Sequence, residues 1–340
     1  MNTLTTENHL NTSQCDDSNQ ALVERLQYPV ELNGLSLKQW IAEHRQTLIT
    51  KIETEGALLL RGLNIISSTQ FGKIAEVLFG DELADYANRS TPRTELKGKV
   101  FTTTEYPKEE TIPLHNENSY SHEWVMKAAF YCLVPPPVGG ETPVADSRKI
   151  YQQIPAHIRD KFEQKGVMYL RNYSSVGLPW QEVFQVETKQ QVNAFCQENN
   201  IKYQWLDDGS LRTWQVCPAV QVHPVTGEKV WFNQAHLFHV SNHDEQNRIA
   251  LLDMFSEAQL PRHAYYGDGE PIEEQYLSII RQVYLDQKIK FRWQRGDLLI
   301  ADNMLFCHGR EPFDGARRII LAMAGHNSIA KQQQLGSKAA

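Results

Sequence analysis

Between about residue 99 and residue 324, this 340-residue chain reads as strands set on both sides of a helical interior, with no strand–helix–strand alternation. That order excludes a parallel, doubly wound sheet, whose strands need crossover helices between them. Residues 100–104 are rich in β-formers, and 126–134 form a long apolar and aromatic run stopped by Pro135-Pro136-Pro137. Gly139-Gly140 leads into a strand over 141–145, and 151–165 and 186–199 are helical insertions of polar character. Strands return at 213–223 and 228–235, joined by the turn Pro224-Val225-Thr226-Gly227. Helices follow over 244–258 and 271–287, the second with Pro271 in its first turn. The end is β again, with Phe291-Arg292-Trp293, a turn at Gly296-Asp297, and strands at 298–302 and 318–324. The expected fold is mostly β with helices (α+β), a double-stranded β-helix or jelly-roll core with flanking helices and a helical insert.

Upstream, Leu37, Trp40, Ile41, His44, Leu48 and Ile52 recur at helical spacing and Gly56 follows as a stop. His44 on that stripe is read as a packed side chain, not a ligand. Residues 57–60 are a buried strand, and Ser67 or Ser68 caps a helix with an apolar face of Phe71, Ile74, Ala75, Leu78 and Phe79. The expected organisation is a disordered tail over 1–20, one domain over 21–330 and a flexible tail over 331–340. Net charge of −7 without a basic run argues against a nucleic-acid surface. No apolar stretch reaches bilayer length, and the polar first twenty residues carry no signal-peptide pattern. Five cysteines, odd in number and without C-x-x-C spacing, read as reduced thiols of a cytoplasmic protein.

The chemistry concentrates in two segments almost two hundred residues apart: His115-Asn116-Glu117, and Cys307-His308-Gly309-Arg310 followed by Arg317-Arg318. Two histidines and one carboxylate are the ligand set of mononuclear non-haem Fe(II) oxygenases, which leaves positions open for co-substrate and oxygen. A His-x-Glu triplet places both side chains on one face of a strand, and the third ligand comes from a distant strand. With 12 histidines and 41 acidic residues, chance gives about one such triplet, and a second indeed stands at His243–Glu245. That second one precedes the helical pattern Ile249, Leu252, Phe255, so Ser241 or Asn242 reads as an N-cap and the acids as first-turn residues. A histidine closing one strand and an arginine on the next would aim both into one barrel mouth. A guanidinium suits a carboxylate because it offers two parallel hydrogen bonds.

On His115-x-Glu117, Gly139-Gly140-Glu141-Thr142 and His308 with the Arg317-Arg318 strand, the chain resembles the TauD/TfdA (taurine dioxygenase) family of Fe(II)/2-oxoglutarate-dependent oxygenases. The resemblance covers about residues 57–324 and implies that His115, Glu117 and His308 bind iron. It further implies that Thr142 and Arg318 hold the far carboxylate of 2-oxoglutarate, with Arg317 the adjacent alternative, since alternation lets only one of the pair face the site. The implied reaction consumes O2 and 2-oxoglutarate, releases succinate and CO2, and hydroxylates an unactivated C–H bond. Ala322 stands where the family's taurine-oxidising member has its sulfonate-binding arginine, which disfavours a sulfonate. The ligand carboxylate is Glu117 in place of the more usual Asp, and its presence argues against halogenation. The wording of 115–120 and 139–148 looks most like the syringomycin-type subgroup, which implies hydroxylation of an amino acid, free or held on a peptidyl-carrier protein, in peptide natural-product biosynthesis.

Substrate contacts are expected from Asn118, Ser119 and Tyr120, from Arg89 and Arg93 in a turn-rich loop, and from Asn233, with His236 beside it. Arg310 is expected in a structural ion pair, and Cys307 as a buried structural thiol. His236, His239 and His243 have the spacing of a helical zinc face, but no cysteine or paired carboxylate accompanies them. The alternatives are desaturation or cyclisation by the same oxygenase chemistry, a zinc hydrolase using the same three ligands, and a non-catalytic jelly-roll binding protein.

Overall fold

The computed structural model describes residues 17–332, except Asp81, Tyr86, Ala87, Arg89, Ser90, Thr91 and Ser175. A helix over Asp17–Leu26 buries Val23 and Leu26 in the core, so ordered chain begins before position 21. Ser36 then starts the helix Leu37–Glu55 through a capping box with Gln39, and Gly56, at φ 98°, ends it in the left-handed region. Ser67 caps the helix Ser68–Phe79 in the same way, by accepting from the Gln70 amide. The two helices bury Trp40, Ile41, Leu48, Ile52, Phe71 and Leu78 against one face of the central sheet, and His44 stacks on Trp40.

That sheet has five antiparallel strands in the order Ala57–Leu60, Leu298–Asp302, Glu123–Val134, Arg318–Ser328, Val100–Thr102. Period-two alternation sorts its side chains cleanly. Ala129, Tyr131, Leu298 and Ile300 turn to the helices, whereas Ala128, Phe130, Cys132, Leu299 and Ala301 turn inward. Opposite the inward face lies a three-stranded sheet, Ile112–His115, Phe306–Arg310, Val144–Asp146. Phe130, Phe306, Trp293 and Met304 fill the gap between the sheets, each contributing roughly 1.5–3 kcal/mol by burial. This pair of antiparallel sheets with helices on its outer face is the expected jelly roll.

Elsewhere the structure corrects the sequence reading. A further, four-stranded sheet, Arg262–Tyr266, Val167–Tyr173, Leu211–Cys217, Lys202–Trp205, carries the middle of the chain, where mainly helices were expected. The strand expected over 213–223 divides at Pro218, which has no backbone N–H to continue a ladder. Leu211–Cys217 joins the accessory sheet, and Val220–Val222 forms a hairpin with Lys229–Trp231. The helix expected over 244–258 is Glu245–Met254 and is capped by Asp244, not by Ser241 or Asn242. Its expected apolar face is not buried: Ile249 and Leu252 are exposed. The helix expected from 271 begins at Glu274 and buries Leu277, Ile280, Val283 and Tyr284. Among the described residues, no helix is long and apolar enough to cross a membrane.

Candidate metal centre and co-substrate cleft

The three expected ligands converge. Their ligand atoms lie within 4.8 Å of one another, and no other group of three or more His, Cys, Asp or Glu among the described residues does so. The way they converge differs from the sequence reading. His115 closes its strand and pairs directly with His308, but Glu117 already belongs to the turn that follows, at Glu117–Tyr120. A tight turn with Asn118 at φ 56° therefore brings Glu117 round, in place of strand alternation. Asn303 sets that turn from across the sandwich. Its side chain accepts from the Glu117 amide (2.7 Å) and donates to the Glu117 carbonyl (2.9 Å) and to the Val125 carbonyl (2.8 Å). Asn116, buried between the ligands, donates to the Asn303 carbonyl and to Ser147.

His115 Nδ1 lies 2.8 Å from the Pro113 carbonyl, and a carbonyl only accepts, so Nδ1 carries the proton and Nε2 presents its lone pair. His308 Nε2 stands 3.2 Å from Glu117 Oε1. Burial, reinforced by His308, pushes the His115 imidazole down to about 4. Burial alone would raise the Glu117 carboxyl, but Arg93 and His308 hold it well below the usual carboxylate range. An uncharged imidazole at His115 and an ionised carboxylate at Glu117 are forms that bind a divalent ion. Three protein ligands on one side of a cleft leave the remaining positions open, so the residues fit an iron of the two-histidine, one-carboxylate type.

The cleft beside the triad carries Thr142 and Arg317 on its other wall. Arg317 lies just before the last strand and donates to the Gly140 carbonyl (2.9 Å), to Thr103 Oγ1 (3.3 Å) and to Thr142 Oγ1 (3.3 Å). Trp293 Nε1 donates to the same threonine oxygen at 3.0 Å. Gly140, at φ 69°, is required here: a Cβ would come within 2.6 Å of Pro136 and 3.1 Å of the Arg317 side chain. Burial, with Arg310 adding to it, pulls the Arg317 guanidinium down to about 10.

Arg318, the arginine expected at this position, is exposed and does not reach the cleft. It opens the final strand opposite the exposed Val134, and the register slips between Arg318 and Ile319. Alternation along this strand, with Ile319 and Leu321 inward and Ile320 and Ala322 toward the helices, sets Arg318 on the helix-covered face, while Arg317 lines the cleft.

The expected substrate residues scatter. Arg93 is buried against the triad, pairing with Glu117 and donating to Thr104. Tyr120 packs against Tyr169 and Phe238 and donates to the Asn88 carbonyl at 2.7 Å. Asn118 is buried in the ligand turn, and the Ser119 hydroxyl turns back onto the Asn116 carbonyl. Asn233 does not line a pocket: its amide is taken up by the Ala219 carbonyl and the Ala235 amide, which anchors a short helix. His236 stacks on Tyr284 and meets the Leu114 carbonyl, and Arg310 holds three backbone carbonyls, of Tyr106, Pro107 and Glu110, instead of an acid. Cys307 is a buried thiol on the Ala145 carbonyl. Arg89 lies outside the described residues. Sequence reasoning missed Asn303, Trp293 and Gln234, whose amide donates to the Asn116 carbonyl. Of these only Asn303 carried a signal, a polar residue ending a buried strand just before His308.

Residues 22–324 match the family described as taurine catabolism dioxygenase TauD, TfdA family. The dapdiamide synthesis protein DdaC of Enterobacter agglomerans is 42% identical over 273 residues, covering 80% of this chain and 83% of that protein. A clavaminate synthase-like protein of Arabidopsis thaliana is 29% identical over 298 residues, covering 84% and 86%. The crystal structure of AAD-2 with Mn(II) and N-oxalylglycine shares the fold at a TM-score of 0.50 and 14% identity, over 84% of this chain and 88% of that one. The chain belongs to the TauD/TfdA family and is a dioxygenase that uses Fe(II), 2-oxoglutarate and O2.

Proposed function

We propose that this enzyme hydroxylates an unactivated C–H bond of an amino acid, with His115, Glu117 and His308 as the iron ligands and Thr142 and Arg317 as the seat of the distal 2-oxoglutarate carboxylate. The observation that carries this reading is the meeting of triad and Thr142–Arg317 pair on one cleft. Bound iron with 2-oxoglutarate and O2 supplies the oxidising power, 2-oxoglutarate leaving as succinate and CO2. The chain's residues do the rest. Arg317 presents a fork to a carboxylate, and Gly140 and Thr142 fix its direction. Asn303 keeps Glu117 on the triad, as outer partners of metal ligands do. Phe130, its ring 4.7 Å from His308, excludes water from that side.

The assignment to amino acids of peptide natural-product biosynthesis rests on the likeness to the dapdiamide synthesis protein and to the syringomycin-type subgroup. A substrate presented by a peptidyl-carrier protein belongs to the same reading. Residues 21–330 act as one oxygenase domain. The free, buried thiols of Cys132, Cys196, Cys217 and Cys307 suit a reducing cytoplasm. The test supplies Fe(II), 2-oxoglutarate and O2 with a panel of amino acids, free and carrier-bound. Succinate formed in step with a product heavier by one oxygen atom is the expected result. A product lighter by two hydrogens would move the outcome to desaturation or cyclisation, and no succinate from folded, iron-loaded protein would contradict the reading.

A further inference from the structure

The segment that leads from the helix Glu274–Asp286 to the strand Leu298–Asp302 has no regular ladder, yet it is pinned to residues 132–144 at several points. Ile289 and Val144 form an isolated antiparallel bridge, with N–H···O bonds of 2.8 and 2.9 Å. Arg292 donates to the Pro137 carbonyl at 3.0 Å. Further on, the Gly296 amide donates to the Cys132 carbonyl, and Asp297 Oδ2 accepts from the Gln294 amide at 2.8 Å. Between these fixed points Trp293 turns into the core beside Phe291, the two rings edge to face at 4.8 Å. Its Nε1–H reaches Thr142 Oγ1 at 3.0 Å from behind, since Thr142 lines the cleft and Trp293 does not.

A hydroxyl has one hydrogen to donate and two lone pairs with which to accept. Both lone pairs of Thr142 Oγ1 are engaged by groups that only donate, the Trp293 indole N–H and an Arg317 guanidinium N–H. The hydroxyl hydrogen therefore points away from both, and among the described residues no acceptor stands within hydrogen-bond distance of it. Thr142 is buried, so an unused O–H is costly, and the cleft is the direction left to it. Arg317 bonds Gly140, Thr103 and Thr142 within the chain, and a guanidinium has more N–H groups than these contacts use. This end of the cleft thus offers donors alone, a guanidinium and an O–H whose direction is set by the indole behind it. A carboxylate satisfies both, and an alkyl end satisfies neither.

We propose that Trp293 is a positioning residue for co-substrate selection: its indole N–H fixes Thr142 as a hydrogen-bond donor and so makes the cleft select 2-oxo acids that end in a carboxylate. This rests on the reading of Thr142 and Arg317 as the seat of the distal carboxylate. The test titrates Fe(II)-loaded protein anaerobically with 2-oxoglutarate and with 2-oxovalerate, following the visible band of the chelated keto acid. 2-Oxovalerate keeps the chelating end and lacks the distal carboxylate. The variants are Trp293→Phe, Thr142→Val, Thr142→Ser and the double variant of the first two. A further protein carries benzothienylalanine at position 293, which keeps the two-ring shape and lacks only the N–H. The expected result is that loss of the N–H raises half-saturation by 2-oxoglutarate about threefold to tenfold and leaves 2-oxovalerate unchanged. Thr142→Val has the larger effect, Thr142→Ser restores most of it, and the double variant is no worse than Thr142→Val alone, because the indole acts only through the hydroxyl. Unchanged 2-oxoglutarate binding in the benzothienylalanine protein, or equal weakening of both oxo acids there, overturns the proposal, the second outcome marking Trp293 as packing alone. If Thr142→Val and Arg317→Ala also leave 2-oxoglutarate binding unchanged, the seat itself falls; if those two shift it and loss of the N–H does not, only the part given to Trp293 falls.

Discussion

The two sides of the ligand turn are built on opposite plans. On the metal side, His115, His308 and the base of Arg317 sit on or beside jelly-roll strands, and their hydrogen bonds run to the Pro113 and Gly140 carbonyls, to Glu117, and to Thr103 and Thr142. On the other side the accessory sheet brings two arginines face to face among aromatic rings. The metal side is preorganised for small ligands whose chemistry is fixed. The accessory side packs Tyr120 against Tyr169 and Phe238 and ties it to the Asn88 carbonyl. The comparison teaches that the residues around the triad and those around Tyr120 are carried by separate sheets joined at Glu117–Tyr120.

The contrast can be broken first at the ligands. His308→Ala should abolish turnover and weaken Fe(II) binding by more than the roughly 10–100-fold that loss of an outer partner costs; metal titration with a spectroscopic probe reads this, and retained affinity would remove His308 from the centre. Asn303→Ala, which frees the ligand turn, should fall within that roughly 10–100-fold range and cost about 1–3 kcal/mol of stability in denaturant melts. Full metal affinity in this variant would mean that the turn holds itself.

Arg317→Ala should raise the 2-oxoglutarate requirement by about tenfold to a hundredfold, while Arg318→Ala leaves it unchanged and shifts stability by no more than about 0.5 kcal/mol. The opposite pattern in KM measurements would restore the assignment that the family resemblance implied.

The smallest effect expected concerns acid. Burial lowers His236 and His239 to about 3, below the ordinary value of 6.5. The unfolded chain therefore binds more protons than the folded one between those values, so stability is full above about 6.5 and declines as pH falls toward about 3. Urea midpoints against pH should show that slope, shallower in His236→Gln, and an unchanged slope would exclude His236 as a source.

Much of the metal side was legible in the sequence. Period-two alternation in 126–134 and 298–302 and the order of His115-x-Glu117, Thr142 and His308 carried the jelly roll and the meeting of His115, Glu117 and His308. What failed did so for physical reasons. Arg318 falls outside the cleft because the last strand alternates with Ile319 and Leu321 inward and Ile320 and Ala322 toward the helices, and the sequence does not show which phase of the alternation faces the site. The turn at Asn118 replaced the expected alternation because a positive-φ residue between helix-like and strand-like readings is silent. The accessory sheet stayed hidden because Val167–Tyr173 lies between helices and finds partners some forty to a hundred residues away, at Leu211–Cys217 and Arg262–Tyr266. The opposition of Arg171 and Arg262 exists only once that register is known.

The most direct test of the account is anaerobic addition of Fe(II) and 2-oxoglutarate to the unaltered protein, to His115→Ala and to Arg317→Ala, followed by visible absorbance. The expected result is a weak charge-transfer band in the unaltered protein that is absent in His115→Ala and needs more 2-oxoglutarate to saturate in Arg317→Ala. Iron binding without a band in the unaltered protein, or a band untouched by His115→Ala, would contradict the assignment of this cleft as the place where metal and co-substrate meet.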